Sequence, residues 1–171
     1  SGKIEIFSER IAGFDYGDCS GHPVWMEPAE WLGHARKGQL HLISNQPKNK
    51  LHSQLDRGRI SQGDRIAGYE PALLHPVDAA ARGIRRHDII RVFNRRGACL
   101  CAAVLSEDIR RGVIQISTGA WVDIKENTGL CQQGNPNVLC LDKGTSKLGQ
   151  GPIAHSCLVD IEPEGSEYIP Q

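Results

Sequence analysis

The chain has 171 residues, of which 39% are hydrophobic and 5% aromatic, and its twenty acidic and twenty basic side chains give a formal net charge of zero. This length suits one domain that buries roughly two-thirds of its unfolded surface, and neutrality argues against a general affinity for nucleic acid or anionic membranes. No apolar run approaches the roughly 20 residues of a membrane helix, while nineteen glycines and nine prolines favour a mostly β fold with short helices.

Residues 1–38 are irregular and are interpreted as an extended arm that packs on the following domain or on domains outside the chain. Within the arm, residues 3–7 alternate between polar and apolar side chains, which predicts a short strand. Four aromatic residues of the arm need a surface to cover, because exposed aromatic clusters are costly in water. They are Phe14, Tyr16, Trp25 and Trp31.

Strand patterns then recur from residue 40 onward. Residues 40–44 and 69–75 predict strands, and residues 76–83 predict a short helix that has Pro and Asp in its first turn and Gly at its end. Residues 88–93 and 98–105 flank a turn at 94–97 and predict a hairpin, whose second strand is apolar on both faces.

Residues 113–117 and 155–161 predict two further strands, which brings the total to about six. Short strands separated by frequent turns are typical of a small closed barrel. We therefore predict a six-stranded barrel over residues 39–162, with a tail at 163–171. Residues 118–152 are predicted to be an irregular insert, whose glycines and carboxamides suit ligand binding rather than proton transfer.

The six cysteines do not follow the spacing of a disulfide scaffold or of a zinc site. Cys99 and Cys101 are two residues apart on a predicted strand, so both should face the core as small apolar side chains. Basic residues are concentrated at 35–65 and 82–111, each block with a net charge of +5. Such blocks are consistent either with an anionic ligand such as phosphate or with a solvated face.

Three stretches in order carry a family resemblance: LISNQPKNKLHSQL at 42–55, PVDAAARG with VFNRRG across 76–97, and GNPN with QGP between 134 and 152. Together they resemble the molybdopterin-dinucleotide-binding domain of the DMSO reductase family. The arm, with GHP at 21–23 and EPAEWL at 27–32, is similar to the segment that precedes this domain in TMAO and biotin sulfoxide reductases. The resemblance covers nearly the whole chain.

The resemblance implies a double-psi β-barrel that helps to hold molybdenum bis(molybdopterin guanine dinucleotide) in a full-length enzyme. It further implies cofactor-binding residues in the loop after the first barrel strand and in the insert. They are Ser44, Asn45, Gln46, Pro47, Leu51, His52, Ser53, Gln54, Gly119, Trp121, Asn135, Asn137, Gln150 and Gly151. Hydroxyls, amides and cations supply the donors and acceptors that a pyrophosphate and a pterin edge require.

Several of these residues have a second interpretation. His52 is also consistent with a structural histidine, Asn135-Pro136 with a turn and Trp121 with a barrel cap, and the role of Lys48 and Lys50 is left open. The family serine that binds molybdenum lies in an earlier domain, so no catalytic or metal-binding residue is expected here. The chain is then expected to be inactive by itself.

The partners implied are the other domains of the same reductase, a small S-oxide or N-oxide, and an electron-donor protein or reduced nicotinamide, in the bacterial periplasm or cytoplasm. Two alternatives remain. One is a stand-alone barrel that binds nucleic acid or another phosphate ligand, although Phe93 is the only aromatic residue near the arginine-rich hairpin. The other is a self-processing decarboxylase-like barrel, whose required Gly-Ser pair occurs only in the tail.

Overall fold

The computed structural model describes residues 2–153 and 155–165. Its strands are β1 (Leu40–Ile43), β2 (Pro71–Leu74), β3 (Ile89–Asn94), β4 (Gly97–Leu105), β5 (Val113–Ile116), β6 (Ile124–Lys125), β7 (Leu130–Cys131) and β8 (Cys157–Pro163). Its helices are α1 (Glu9–Ala12), α2 (Arg59–Gly63) and α3 (Pro76–Ala80), with 3₁₀ turns at Leu32–His34 and Pro136–Val138. In the described part of the chain, none of these helices has the length and apolar character needed to cross a membrane.

Six strands close into a barrel in the order β2-β5-β1-β8-β3-β4, because β4 also pairs with β2. Strand β1 is parallel to β5 and β2 is parallel to β4, whereas the other four neighbouring pairs are antiparallel. This pattern is unchanged when β1, β2 and β3 are exchanged with β4, β5 and β8. Each half of the barrel therefore contributes the same crossing of parallel strands, which is the double-psi arrangement. The prediction of a six-stranded double-psi barrel is confirmed.

The core fills the inside of this ring, with alternate residues of the short strands pointing inward. Leu42, Leu74, Ile90 and Ile114 are fully buried, and burying a side chain of this size contributes about 1.5–3 kcal/mol. Strand β4 is buried over residues 98–103, because the 3₁₀ turn at Pro136–Val138 packs against it from the second side. The interpretation of β4 as apolar on both faces is therefore confirmed.

Cysteine burial follows the same pattern. Cys99 and Cys101 on β4 are both fully buried, as the spacing on the strand predicted. Cys131 on β7 and Cys157 on β8 are also fully buried members of the core. All six cysteines are free thiols, and the four in the core act as small hydrophobic side chains.

Three predictions of local structure are confirmed or corrected. The helix predicted over residues 76–83 occurs as α3, where Pro76 occupies the first turn and the ring of His75 accepts the N–H of Val77 at 3.2 Å. The strand predicted over residues 3–7 is wrong. Ile4 and Ile6 are 93% and 76% exposed, and none of the strands in residues 2–153 and 155–165 lies beside this segment to complete a ladder. The insert is not wholly irregular, because it forms β6, β7 and a 3₁₀ turn.

The arm is fixed to the barrel near its end. The carboxylate of Glu30 accepts two hydrogen bonds from Arg96, at 2.6 and 2.8 Å, and a third from the N–H of Leu158 at 2.8 Å. The N–H of Leu32 donates to the ring of His41 at 3.1 Å. Other apolar side chains of the arm stay exposed, and Trp25 is 73% exposed.

Candidate functional site

The loop that follows β1 contains a tight turn at residues 51–54. The N–H of Gln54 donates to the carbonyl of Leu51 at 2.9 Å, and the N–H of Leu51 donates back at 3.3 Å. His52 has a φ of 52° and Leu55 a φ of 67°, in the left-handed region that is unfavourable for residues other than glycine. Such a backbone persists only where the surrounding structure fixes it, and it is frequent in ligand-binding loops.

Residues after β5 pack directly onto this turn. Gly119 has a φ of 98°, and a Cβ added there would lie only 2.0 Å from the carbonyl oxygen of His52. The position therefore requires glycine for two independent reasons. Beyond it, the indole N–H of Trp121 donates to the carbonyl of Ser53 at 2.8 Å, and the guanidinium of Arg57 lies 5.4 Å from the Trp121 ring centroid.

Asn135 holds the third segment in place. Its side-chain amide donates to the carbonyl of Ala120 at 2.6 Å, and its side-chain oxygen accepts the N–H of Asn137 at 2.9 Å. The side chain of Asn135 is buried, whereas Asn137 is exposed. Asn135 thus forms a turn, and both of its side-chain groups are used to join two segments of the site.

The three segments surround two adjoining cavities. One, of about 310 Å³, has a lining made of loop and insert residues, namely His52, Ser53, Thr118, Gly119, Ala120, Asn135 and Asn137. The other, of about 380 Å³, shares Ser53, Ala120 and Asn135 with the first and adds Trp121 and Val122. Six of the predicted site residues therefore converge here from three stretches of sequence, of which the first lies more than 60 residues before the other two.

A larger cavity of about 780 Å³ lies elsewhere, between the arm and the outside of the barrel. Its lining includes Trp31, Leu32, Ile43 and Val113, and it contains none of the predicted site residues. Size alone therefore does not identify the functional site of this protein.

The start of the loop is held by its own side chains. The side-chain oxygen of Asn45 accepts a hydrogen bond from Gln115 on β5 at 2.9 Å. The side-chain amide of Gln46 donates to the carbonyl of Lys50 at 2.6 Å. Pro47 follows Gln46 in the chain and is partly buried. Asn45, Gln46 and Pro47 thus shape the base of the loop.

Other polar groups of the loop are not used by the protein itself. Among residues 2–153 and 155–165, the buried hydroxyl of Ser44 has no hydrogen-bond partner. The side chains of His52, Ser53 and Gln54 are exposed, and no side-chain hydrogen bond is formed by them within the same described ranges. The side chain of Leu51, at the start of the turn, is 62% exposed. The turn therefore presents free donors and acceptors at the rim of the cavities.

The last two predicted residues belong to a separate loop. Gly151 accepts the N–H of Thr145 at 2.7 Å, and the side-chain amide of Gln150 donates to the carbonyls of Ser146 and Lys147, both at 3.1 Å. Gln150 has a φ of 52° and is exposed. Gln150 and Gly151 do not line either of the two adjoining cavities.

A buried ion-pair cluster beneath the site was not found from the sequence. Lys50 and Arg65 each contact both Asp56 and Glu70, with distances of 3.0 Å from each cation to Asp56 and 3.1 Å from Arg65 to Glu70. All four side chains are at most 5% exposed. Lys50 and Asp56 lie in the loop after β1, Arg65 follows the end of α2, and Glu70 precedes β2. The four residues therefore form no regular sequence pattern from which their contact could be predicted.

Asp56 also touches the site. Its carboxylate accepts the main-chain N–H of Trp121 at 3.2 Å. Burial by itself raises the pKa of this carboxyl, but hydrogen bonds from Lys50 and Trp121, together with the charges of Lys50 and Arg65, outweigh burial and hold the pKa below its usual value. Asp56 is therefore ionised at neutral pH, beside two basic side chains and one further acidic side chain.

The two basic blocks are partly explained by such pairs. Lys50 and Arg65 are buried in the cluster, Arg96 is paired with Glu30, and Arg91 contacts Glu162 at 2.8 Å.

In the part of the chain that the structure describes, no group of three or more His, Cys, Asp and Glu side chains could hold a metal ion. Around the two cavities, the described residues offer polar contacts and the aromatic ring of Trp121.

Comparison with known proteins decides the family. The model of the molydopterin dinucleotide binding domain matches residues 40–158, which is more than half of the chain. The chain belongs to this family. The resemblance noted from the three sequence stretches is confirmed, and the matched range contains the turn at 51–54 and both adjoining cavities.

Comparison with individual relatives supports the same family assignment. The chain is 47% identical to biotin sulfoxide reductase and 48% identical to dimethyl sulfoxide/trimethylamine N-oxide reductase, both from Cereibacter sphaeroides. It is 48% identical to trimethylamine-N-oxide reductase 1 from Escherichia coli strain K12. These alignments cover 95–98% of the chain but only 20–22% of the relatives, so the chain spans about a fifth of their length.

The domain also has a structural neighbour of known coordinates. Acetylene hydratase from Pelobacter acetylenicus superposes with a TM-score of 0.74 at 19% sequence identity, over 95% of this chain and 23% of that protein. At this identity the likeness establishes the barrel fold alone. Function must therefore be argued from the site.

Proposed function

We propose that this domain holds part of molybdenum bis(molybdopterin guanine dinucleotide) in a full-length S-oxide or N-oxide reductase. The contacts are proposed to come from the turn at 51–54, the segment 119–121 and Asn137. Substrates of the class named by the relatives, such as biotin sulfoxide, dimethyl sulfoxide or trimethylamine N-oxide, would be reduced by the whole protein. A donor protein or reduced nicotinamide would supply the electrons.

The observation that best supports this proposal is the set of unused polar groups around the two cavities. A pyrophosphate needs hydrogen-bond donors, and a pterin or guanine edge needs neighbouring donors and acceptors. His52, Ser53 and Asn137 line the cavities, and Gln54 completes the turn beside them. These four side chains supply such groups, and none of them is needed to hold the loop in shape. The residue types and their placement therefore fit the cofactor that the family binds.

The buried hydroxyl of Ser44 gives further support. A buried hydroxyl without a partner is costly, and such a group is satisfied by protein, by ordered water or by a bound molecule. Ser44 lies where the polypeptide leaves β1 and enters the loop. We propose that Ser44 and Gln46 contact the cofactor at the base of the loop, while Gln150 and Gly151 belong to a second set of contacts from the loop at 144–152.

Binding and chemistry are divided in this proposal. When bound, the molybdenum centre supplies the two-electron chemistry that removes oxygen from the substrate. The residues of this chain bind the dinucleotide, orient it and shield it from water. The chain is proposed to be inactive without the rest of the reductase.

The experiment compares cofactor content in the full-length protein. Each hydrogen bond contributes about 0.5–1.5 kcal/mol, so the Gln54→Ala, Asn137→Ala double variant should bind guanine dinucleotide on the order of tenfold more weakly. Molybdenum is measured by mass spectrometry and guanine nucleotide by chromatography after acid release. Asn127→Ala, at an exposed position that lies outside the turn at 51–54 and lines neither cavity, is the matched control and should retain normal content.

Both contrary results are informative. Normal cofactor content in the double variant would contradict the assigned site. A wild-type protein that contains neither molybdenum nor guanine nucleotide would contradict the proposed function itself.

A further inference from the structure

The buried cluster of Lys50, Asp56, Arg65 and Glu70 lies directly beneath the candidate site. It joins the loop at 50–56 to the end of α2 and to the residue before β2. Asp56 also accepts the N–H of Trp121, so the cluster is joined to the site by a hydrogen bond.

Trp121 is connected to this loop by three separate contacts. Its main-chain N–H donates to Asp56, its indole N–H donates to the carbonyl of Ser53, and the guanidinium of Arg57 lies over its ring. All three partners lie within residues 53–57. The position of the Trp121 ring relative to the turn is therefore set by one short stretch of loop, and this stretch is fixed from below by the ion pairs of Asp56.

We propose that Asp56 is a positioning residue, which aligns Trp121 with the turn at 51–54 before the cofactor binds. The inference rests on the proposed function, because the surface being aligned is the dinucleotide-binding surface. Trp121 is 49% exposed, and its ring lines the cavity beside Ser53. A flat aromatic surface at that place is suited to contact a pterin or a guanine ring.

The shape of the carboxylate explains why an acid is required. One oxygen of Asp56 contacts Lys50 and Arg65, and the other contacts Arg65 and the N–H of Trp121. All of these partners are donors. An asparagine would direct its NH₂ group at one of them, so that either a cation contact or the Trp121 contact is lost.

Glu70 provides a matched control within the same cluster. It pairs with the same two cations and is equally buried, yet it makes no contact with Trp121 among the described residues. Asp56→Asn and Glu70→Gln each remove one negative charge and preserve side-chain size. Only the first should disturb the alignment of Trp121.

The test uses the full-length protein and measures three quantities. These are the midpoint of thermal unfolding, the molybdenum and guanine nucleotide content, and the visible absorption of the bound cofactor. Both variants should unfold at a lower temperature. Only Asp56→Asn should lose cofactor, so that its cofactor content is at least threefold lower than that of Glu70→Gln. The cofactor that remains in Asp56→Asn should have a visible absorption spectrum shifted from that of the wild type.

Equal loss of cofactor in the two variants, in proportion to their lower stability, would reduce Asp56 to a structural role and overturn the inference. Normal content and spectrum in Asp56→Asn would overturn it as well. In either case a wild-type protein that carries the cofactor leaves the proposed function standing, so the two failures are distinguishable.

A measurement on the wild-type protein keeps the inference testable if Asp56→Asn does not fold. The amide of Trp121 should exchange its hydrogen slowly both before and after removal of the cofactor, because Asp56 holds it in either state. Exchange at the rate of an unprotected amide would contradict the proposed alignment.

Discussion

Gly119 offers the sharpest prediction about the geometry of the site. Replacing it with alanine places a Cβ 2.0 Å from the carbonyl oxygen of His52, and the backbone there has a φ of 98°. A left-handed backbone costs an alanine about 1–2 kcal/mol. Overpacking adds about 1–3 kcal/mol, because a main-chain oxygen cannot rotate out of the way. The total is about 2–5 kcal/mol.

Gly38→Ala is the control, because Gly38 has a similar φ of 91° but no atom within 4 Å of an added Cβ. It should lose only the backbone cost of about 1–2 kcal/mol. Urea unfolding of the two variants gives the difference between their free energies of unfolding, provided that the slope of this free energy against urea concentration is the same in both. Equal destabilisation would refute the close packing of Gly119 on His52. The Gly119 variant should also bind less cofactor in the full-length protein, since the turn must move.

Three other changes are predicted. Asn135→Ala leaves two main-chain groups without partners and should cost about 2–4 kcal/mol in urea unfolding, whereas Asn137→Ala should stay within about 0.5 kcal/mol. Trp121→Phe removes one hydrogen bond to the turn and should cost about 0.5–1.5 kcal/mol, which the same assay measures; an unchanged midpoint would contradict that bond. Burial raises the pKa of Glu30, but hydrogen bonds from Arg96 and a main-chain N–H outweigh burial and lower it overall. The Glu30 carboxylate therefore contributes fully to the free energy of unfolding above its pKa in the unfolded chain, which is about 4.3. This contribution is lost as the pH falls through the lower pKa that Glu30 has in the folded protein. Unfolding midpoints between pH 5 and pH 3 should decline more steeply in the wild type than in Glu30→Gln, and parallel curves would refute this pairing.

Local patterns were sufficient for most of the fold. The alternation in residues 40–44, the apolar run of β4 and the Pro and Asp in the first turn of α3 each predicted the element that forms. These signals are local, because backbone preference and the period of burial depend on neighbouring residues. Residues 3–7 show the limit of this reasoning. The same alternation produced no strand there, because a strand needs a partner that the sequence does not specify.

The site was predictable only in part. The resemblance carried by three stretches named six residues that converge on two cavities, namely His52, Ser53, Gly119, Trp121, Asn135 and Asn137. Whether a polar side chain is free or already bonded was beyond the sequence. Asn135 is used internally, whereas Gln54 and Asn137 are not, and this difference arises from contacts across the barrel.

The sequence by itself therefore determined the family, the short strands and the residue types that recognise a dinucleotide. Only the tertiary structure decided that Lys50 and Arg65 are buried partners of Asp56 and Glu70 rather than surface cations for a phosphate. The physical reason is that burial of a charge depends on opposite charges brought close by closure of the barrel. No local pattern encodes that proximity, because the four residues belong to separate elements.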